Sequence, residues 1–352
     1  MDVNSTNSSL TAIADFRYIG IVIGIVDIIL GTLGNILTIV VFSRISNLQS
    51  LFNIFIINLA IIDFLTAAFM MPLNVAGYVQ MNWPIGGPDS VSASVQAYVY
   101  FCCGYTSITC FMLITVNRFI SVMFPKHYKS LFSRCGILVG LVSSWLIAPA
   151  FLLPVLLGSA DGLPIIGWNQ KQFLCTFIRV TGKWRTYMQV LRVLFQFLPI
   201  VTMVVLYSLM FWRLKKKWGD ENNGLPWEKQ SKNGPDAVEL MAMNERGVKL
   251  NEEEAKEARR QVVERKKLTE KRLLTVSVVI CCAFVFLFLP SLIVNLISGS
   301  ENLDPRVHMI TSNITWLNSC VNPFIYVILN PDFRMEYRII LKYLWLKITC
   351  KL

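Results

Sequence analysis

Charged side chains are scarce in this chain. They make up 16% of its 352 residues, whereas hydrophobic residues make up 54%. A soluble domain has about 25% charged residues, so this composition excludes an ordinary soluble protein. It indicates a protein that crosses a membrane several times.

Histidine is rarer still, and this limits the chemistry available to the chain. The two histidines, His127 and His308, are predicted to lie near opposite membrane faces. No apolar segment contains a metal-binding cluster of histidine with acidic residues, or a serine–histidine pair for nucleophilic catalysis. We therefore predict no enzymatic activity, no catalytic residues and no organic cofactor.

Cysteine is rare in the segments predicted to lie outside the cell. Most of the nine cysteines lie in apolar or cytoplasmic segments, and Cys175 is the exception. Cys102 and Cys103 are predicted about halfway along an apolar helix, too deep to reach it. We therefore predict no disulfide for Cys175.

Residues 1–15 lack a charged start and an apolar core, so no cleavable signal peptide is expected.

Long apolar runs, by contrast, recur along the whole chain. Seven of them reach the roughly 20 residues that a helix needs to cross a bilayer. Their bounds are 19–42, 52–78, 95–124, 135–157, 188–212, 273–298 and 308–329. The predicted fold class is an all-α membrane protein, a seven-transmembrane helix bundle.

Positive charge is concentrated after the third, fifth and seventh apolar runs. The positive-inside rule places these segments in the cytoplasm. We therefore predict a multi-pass plasma-membrane protein with its N-terminus outside and its C-terminus inside. The net charge of +11 follows from this asymmetry, so nucleic acid is not an expected partner. The sequons at Asn4 and Asn7 are predicted glycosylation sites.

Three parts are expected along the chain. Residues 1–17 form an extracellular tail, residues 18–329 the helix bundle, and residues 330–352 a cytoplasmic helix and tail. The bundle includes a long cytoplasmic connection, residues 215–272, whose second half is predicted to be a helix that continues into the sixth span. In residues 332–346, apolar residues share one face and basic residues the other. This pattern predicts a short amphipathic helix against the lipids of the inner leaflet.

A few polar residues interrupt the apolar runs, where they are costly and therefore candidates for function. Asp63 is taken as the single acid within the spans. Amide and hydroxyl side chains are expected at the same depth, namely Asn35, Ser107, Asn318, Ser319 and Asn322. Oxygen ligands with one negative charge suit Na⁺, which predicts a sodium site. The alternative is a hydrogen-bonded cluster that joins the helices around a protonated Asp63.

Arg118 lies at the predicted inner end of the third span. An arginine there either extends its guanidinium group to the interface or is kept for a cytoplasmic partner.

In the sixth span, Pro290 follows the aromatic residues Phe284 and Phe288. Proline frees a carbonyl and kinks a helix, which predicts a hinge. The alternative is simple tolerance of proline in membrane helices.

Taken together, these residues resemble the rhodopsin-like (class A) G-protein-coupled receptors over essentially the whole chain. Each span contributes a motif. The matching residues are Gly34-Asn35; Leu59-Ala60-Ile61-Ile62-Asp63; Asn117-Arg118-Phe119 followed by Pro125; Trp145; Pro199 with Tyr207; Phe284 with Pro290; Asn322-Pro323-Phe324-Ile325-Tyr326; and Phe333-Arg334. Each motif is weak alone, but their order and depth make the set specific.

The resemblance implies a receptor that binds an extracellular ligand and activates a heterotrimeric G protein as its sixth span moves outward. It implies that Arg118 pairs with Glu270 at rest and contacts the G protein after release. Tyr207 and Tyr326 would then turn inward. The polar set around Asp63 corresponds to the allosteric sodium site of the family. The residues implied to couple ligand pocket and hinge are Pro199, Ile108 and Phe284.

Several residues depart from the family pattern. Asn117 replaces the usual aspartate, Phe119 a tyrosine and Phe288 a tryptophan. Ala93 stands where the cysteine of the usual loop disulfide is expected. These departures keep open a receptor-like membrane protein with weak or no signalling. A further and less favoured alternative is an ion-coupled transporter that uses Asp63 as a relay.

The ligand pocket is expected between the outer halves of the third, fifth, sixth and seventh spans. Its predicted lining is Tyr100, Phe101, Gly104, Tyr105, Arg192, Gln196, Asn295, His308, Ser312 and Trp316. Arg192, with the basic residues Arg179, Lys183 and Arg185, favours an acidic small molecule or a peptide with an acidic end. The alternative for Arg192 is a side chain that extends to the outer interface. The last span has no lysine, which excludes a retinal Schiff base.

Overall fold

The computed structural model describes residues 16–44, 51–222, 252–297 and 304–349. Within these ranges the chain is a bundle of seven helices that lie where the apolar runs predict them. The sequons at Asn4 and Asn7 lie outside the described residues. The fold class predicted from the sequence is confirmed.

The spans are longer than the apolar runs because their helices extend beyond the most apolar part. In order they are Phe16–Arg44; residues 51–80; Val91–Met123; Arg134–Leu157; residues 182–222; Glu252–Ile297; and residues 305–329. By length and apolar composition, six helices in the described ranges are able to cross a membrane. The seventh falls outside this criterion because it is divided into Pro305–Trp316 and Asn318–Leu329.

A proline, Pro323, affects the hydrogen bonding of the seventh span shortly after this division. Pro323 has no backbone N–H, so the carbonyl of Ser319, one turn earlier, loses its helical donor. In the structure this carbonyl accepts a hydrogen bond of 2.7 Å from the side-chain amide of Asn35 in the first span. Gly34 lets the two helices approach, since a Cβ there would lie 2.8 Å from Cγ of Pro323. The carbonyl that Pro323 leaves free therefore links the seventh span to the first through Asn35.

In the part of the chain that the structure describes, three short π-helical segments interrupt the helices. They are Asp27–Gly31 in the first span, Thr66–Met70 in the second and Val193–Phe197 in the fifth. The first two pack against each other, and a Cβ at Gly31 would lie 2.7 Å from the Cβ of Ala67. Single-turn π segments occur frequently at functional sites.

The connection between the fourth and fifth spans contains two short antiparallel hairpins. Ser159–Ala160 pairs with Leu163–Pro164, and Ile166–Asn169 pairs with Leu174–Phe177. The hydroxyl of Ser94 donates to the carbonyl of Ile166 at 2.8 Å, which attaches the second hairpin to the third span. The sequence predicted only a polar loop here, because strands of two to four residues are too short for an alternating pattern.

Cys175 lies in the second hairpin, and burial raises the pKa of its thiol to about 12. Because the thiolate is the reactive form, we expect iodoacetamide at pH 8 to modify Cys175 at least about tenfold more slowly than an exposed thiol. Cys135 is exposed and serves as the internal control. Peptide mass spectrometry of the folded and denatured protein measures both rates. Equal rates in the folded protein would contradict this expectation.

Both helices predicted outside the apolar runs are present. One helix, Glu252–Ile297, continues from the connection that precedes the sixth span into that span, as the sequence predicts. The terminal helix is Pro331–Thr349. Its buried Phe333 packs against Phe42 and Tyr326, with ring centroids 5.3 and 5.9 Å apart. This apolar contact attaches the amphipathic helix to the inner end of the bundle.

Candidate functional site

A cavity of about 200 Å³ lies within the outer half of the bundle. All ten residues predicted for the ligand pocket line it. The structure adds lining residues from the second hairpin that the sequence did not indicate, among them Leu174, Thr176 and Phe177. Their contribution depends on how the loop folds over the cavity, so no local pattern could have identified them.

Aromatic side chains form much of the cavity wall. The indole N–H of Trp316 donates to the hydroxyl of Tyr100 at 2.7 Å, which joins the third and seventh spans. Tyr105 stacks on Phe195 with centroids 4.6 Å apart and rings 6° from parallel. These contacts hold the walls in place and leave an apolar middle section.

Arg192 supplies positive charge to the cavity from the fifth span. Its guanidinium group donates to the backbone carbonyl of Asn295 at 3.0 Å, which fixes the side chain toward the sixth span. The described lining contains one carboxylate, that of Asp63 at the opposite, inner end. The outer chamber therefore presents a cationic group, with His308 and Tyr105 as titratable neighbours.

The inner end of the same cavity reaches the predicted sodium site. Asp63 accepts a hydrogen bond of 2.8 Å from the amide of Asn322, and the hydroxyl of Ser107 lies 3.4 Å from its other oxygen. Asn318 and Ser319 also line this end. Asn35 joins the group through Ser319, and all six predicted side chains are buried. A buried carboxylate with amide and hydroxyl oxygens around it fits a Na⁺ ion.

The structure also shows a second buried acid that the sequence analysis missed. Asp27 lies in the first span and is fully buried. The prediction that Asp63 is the single acid within the spans is therefore wrong. Asp27 was overlooked because one acid hardly changes the mean hydropathy of a long apolar run. Its position two helical turns before Asn35 was the signal available in the sequence.

The inner face of the bundle contains the predicted activation residues. Arg118 is buried, and the amide of its neighbour Asn117 donates to the hydroxyl of Tyr128 at 3.1 Å. In the described ranges, the hydroxyls of Tyr207 and Tyr326 have no hydrogen-bond partner. The side chain of Glu270 lies outside the described residues, so its pairing with Arg118 stays a prediction.

The residues predicted to connect the pocket with the hinge lie in the core. Phe284 contacts Phe111 on one side and Phe288 on the other, with ring centroids 4.6 and 4.4 Å apart. Ile108 and Pro199 are buried as well, whereas Pro290 lies within the sixth helix. An aromatic column thus extends from the cavity toward the middle of the bundle.

Comparison with known proteins agrees with this geometry. The chain is 24% identical over 387 aligned positions to G-protein coupled receptor 84 of Homo sapiens, with 94% of each chain covered. It is 25% identical to the alpha-1A adrenergic receptor of Oryzias latipes, over 94% of this chain and 68% of that receptor. The crystal structure of squid rhodopsin has the same fold, with a TM-score of 0.70 and 22% identity over 94% of this chain and 87% of that one.

The family model described as 7 transmembrane receptor (rhodopsin family) matches residues 34–326, which is most of the chain. This protein therefore belongs to the rhodopsin family of seven-transmembrane receptors.

Proposed function

We propose that this receptor lies in the plasma membrane with its N-terminus outside, binds an extracellular ligand in the cavity, and activates a heterotrimeric G protein. The observation that carries the proposal is the continuity of one cavity from Arg192, at its outer end, to Asp63, at its floor. A ligand at the outer end is thereby connected to the polar core. A ligand that makes better contacts with the active conformation of the bundle than with the resting one would increase the fraction of receptors in the active conformation.

The chemistry of the outer chamber favours an acidic ligand. Arg192 is the strongest cation in the described lining, and a guanidinium group binds a carboxylate through charge-assisted hydrogen bonds. The apolar middle section, with Phe101 and Phe177 in contact at 4.9 Å, suits a hydrophobic body attached to that acid. We infer a small carboxylate rather than a protonated amine, because Tyr100 and Tyr105 offer no counter-ion.

Activation is proposed to move the sixth span outward at its cytoplasmic end. Arg118 would leave Glu270 and contact the G protein. Tyr207 and Tyr326, whose hydroxyls lack hydrogen-bond partners in the described ranges, would turn inward and gain new ones. Na⁺ at Asp63 would stabilise the resting conformation, because the ion needs the packed arrangement of the first, second, third and seventh spans.

A signalling assay tests the proposal. Cells that express the wild type, Arg118→Ala or Arg44→Ala are compared for basal and ligand-driven G-protein activation, at equal surface expression. Arg44 is an exposed cytoplasmic arginine and serves as the matched control. The probes are aromatic and aliphatic monocarboxylates, each paired with its primary amide. We expect Arg118→Ala to lower activation by about tenfold or more and Arg44→Ala to leave it unchanged.

A second candidate function is a receptor-like protein that no longer signals. The observation in its favour is the contact of Asn117 with Tyr128, where the family pattern has an aspartate next to the arginine. Equal basal and ligand-driven signals in the wild type and in Arg118→Ala would favour this candidate and contradict the first.

A further inference from the structure

Asp27 is a buried acid with an unusual lack of hydrogen bonds. It is 0% exposed, and neither of its carboxylate oxygens has a hydrogen-bond partner within the described part of the chain. The thiol of Cys320 faces it but donates to the backbone carbonyl of Leu317 at 3.3 Å. Burying an unpaired polar group is unfavourable, so this carboxyl group calls for an additional partner.

Asn35 presents a second unpaired oxygen on the same face of the first span. Its Nδ2 donates to the carbonyls of Gly31 and Ser319, at 2.8 and 2.7 Å. Both partners are acceptors only, so the orientation of the amide is fixed and Oδ1 is the free atom. This Oδ1 has no donor in the described ranges. Residues 27, 31 and 35 share one helix face, so the two unpaired groups face the same interface.

A glycine one turn along the first span brings the second span close to this carboxylate. The carboxylate of Asp27 lies above Gly31, since a Cβ on that glycine would be 3.4 Å from Oδ1. Gly31 is the last residue of a π-helical segment that packs against the π-helical segment of the second span. The missing side chain at Gly31 thus lets the second span, which carries Asp63, pack close to the carboxylate, since a Cβ at Gly31 would lie only 2.7 Å from the Cβ of Ala67.

Within the described ranges, the three spans that surround Asp27 carry no positively charged side chain at this depth. In the three spans that surround Asp27, the basic residues are Arg17, Arg44, Arg306 and His308, all at helix ends. The other acid of these spans, Asp63, is close enough to interact electrostatically with Asp27. Two carboxyl groups and an amide oxygen thus form a region rich in hydrogen-bond acceptors, and the three spans around it contribute no cation at this depth.

We propose that Asp27 is part of a cation-binding site together with Asn35 and Asp63, so that Na⁺ is held by two carboxylates instead of one. The ion lies on the first-span side of Asp63, where it satisfies the free oxygens of Asp27 and Asn35. Asp27 thereby raises the affinity for Na⁺ above that of a site with one carboxylate. This inference rests on the sodium site of the proposed function and adds a residue to it.

Thermal stability of the purified receptor tests the proposal without any ligand or G protein. The melting temperature is measured as NaCl replaces choline chloride at constant ionic strength, for the wild type, Asp27→Asn, Asp27→Ser and Asp63→Asn. Ser43→Ala, which alters an exposed hydroxyl in the same span, is the control. We expect both Asp27 variants to need about tenfold more Na⁺ for half of the stabilisation, and Asp63→Asn to lose the response.

The outcomes distinguish the new site from the function on which it rests. Sodium curves of Asp27→Asn and Asp27→Ser that coincide with the wild type would overturn the proposal and indicate that Asp27 is a neutral carboxylic acid. A wild type without any sodium response would overturn the sodium site as a whole. G-protein activation in cells is measured separately, so its absence would leave the sodium result intact.

Discussion

Replacing Arg192 with alanine is expected to lower the potency of a carboxylate agonist by at least about 30-fold, because truncating one partner of a buried charge pair costs about 2–5 kcal/mol. Arg192 lines the outer cavity and is held toward Asn295 by a hydrogen bond of 3.0 Å. Its charge is therefore directed into the pocket before a ligand arrives. The measurement is a concentration–response curve for G-protein activation by the most potent monocarboxylate.

The controls for this prediction separate charge from structure. The sequence grouped Arg185 with Arg192 as a basic residue near the pocket, but in the structure Arg185, in the same helical segment Gly182–Arg192, is exposed and does not line the cavity. Arg185→Ala should therefore leave the potency unchanged, and Arg192→Lys should recover part of the loss. The primary amide of the same agonist should act equally weakly on the wild type and on Arg192→Ala. An unchanged carboxylate potency in Arg192→Ala would exclude an acidic ligand at this position.

Replacing Asp63 with asparagine is expected to abolish the effect of Na⁺ on agonist affinity. The carboxylate lies at the floor of the cavity, with Asn322 at 2.8 Å and Ser107 at 3.4 Å. Asparagine keeps the size of the side chain but removes the charge that binds the ion. In the wild type we expect saturating NaCl to lower agonist affinity by about 5- to 150-fold, the usual range of coupling between two sites.

The experiment for Asp63 is agonist competition binding in NaCl and in choline chloride. Asp304→Asn is the matched control, because Asp304 is a carboxylate at the outer start of the seventh span. Its sodium response should equal that of the wild type. A full sodium response in Asp63→Asn would place the ion elsewhere, and an affinity in the wild type that is independent of Na⁺ would contradict the site.

The sequence predicted the bundle well because a membrane imposes a simple pattern. A helix that spans a bilayer must be apolar for about 20 residues, and the seven runs satisfy this rule. Depth along a helix then follows from the number of residues. For this reason the sequence placed Tyr100, Trp316 and Arg192 at similar depths, and in the structure these residues line one cavity.

The features that the sequence did not predict depend on contacts between segments. The hairpin that covers the cavity forms because Ile166–Asn169 and Leu174–Phe177 pair with each other above the third span. The division of the seventh span at Leu317 lies six residues before Pro323 and has no proline of its own. The buried position of Asp27 was not predicted, because a single acid does not interrupt a long apolar run. Only the packing shows that Asp27 faces Cys320 and the interior instead of the lipid.

The central claim is that the cytoplasmic end of the sixth span moves outward when the receptor engages a G protein. Its most direct measurement is the distance between spin labels on Cys135, at the start of the fourth span, and on a cysteine that replaces exposed Leu268. Serine replaces Cys282 and Cys350 in this variant. We predict that a nucleotide-free heterotrimeric G protein lengthens this distance by several ångströms. An unchanged distance in a complex that has formed would contradict the account.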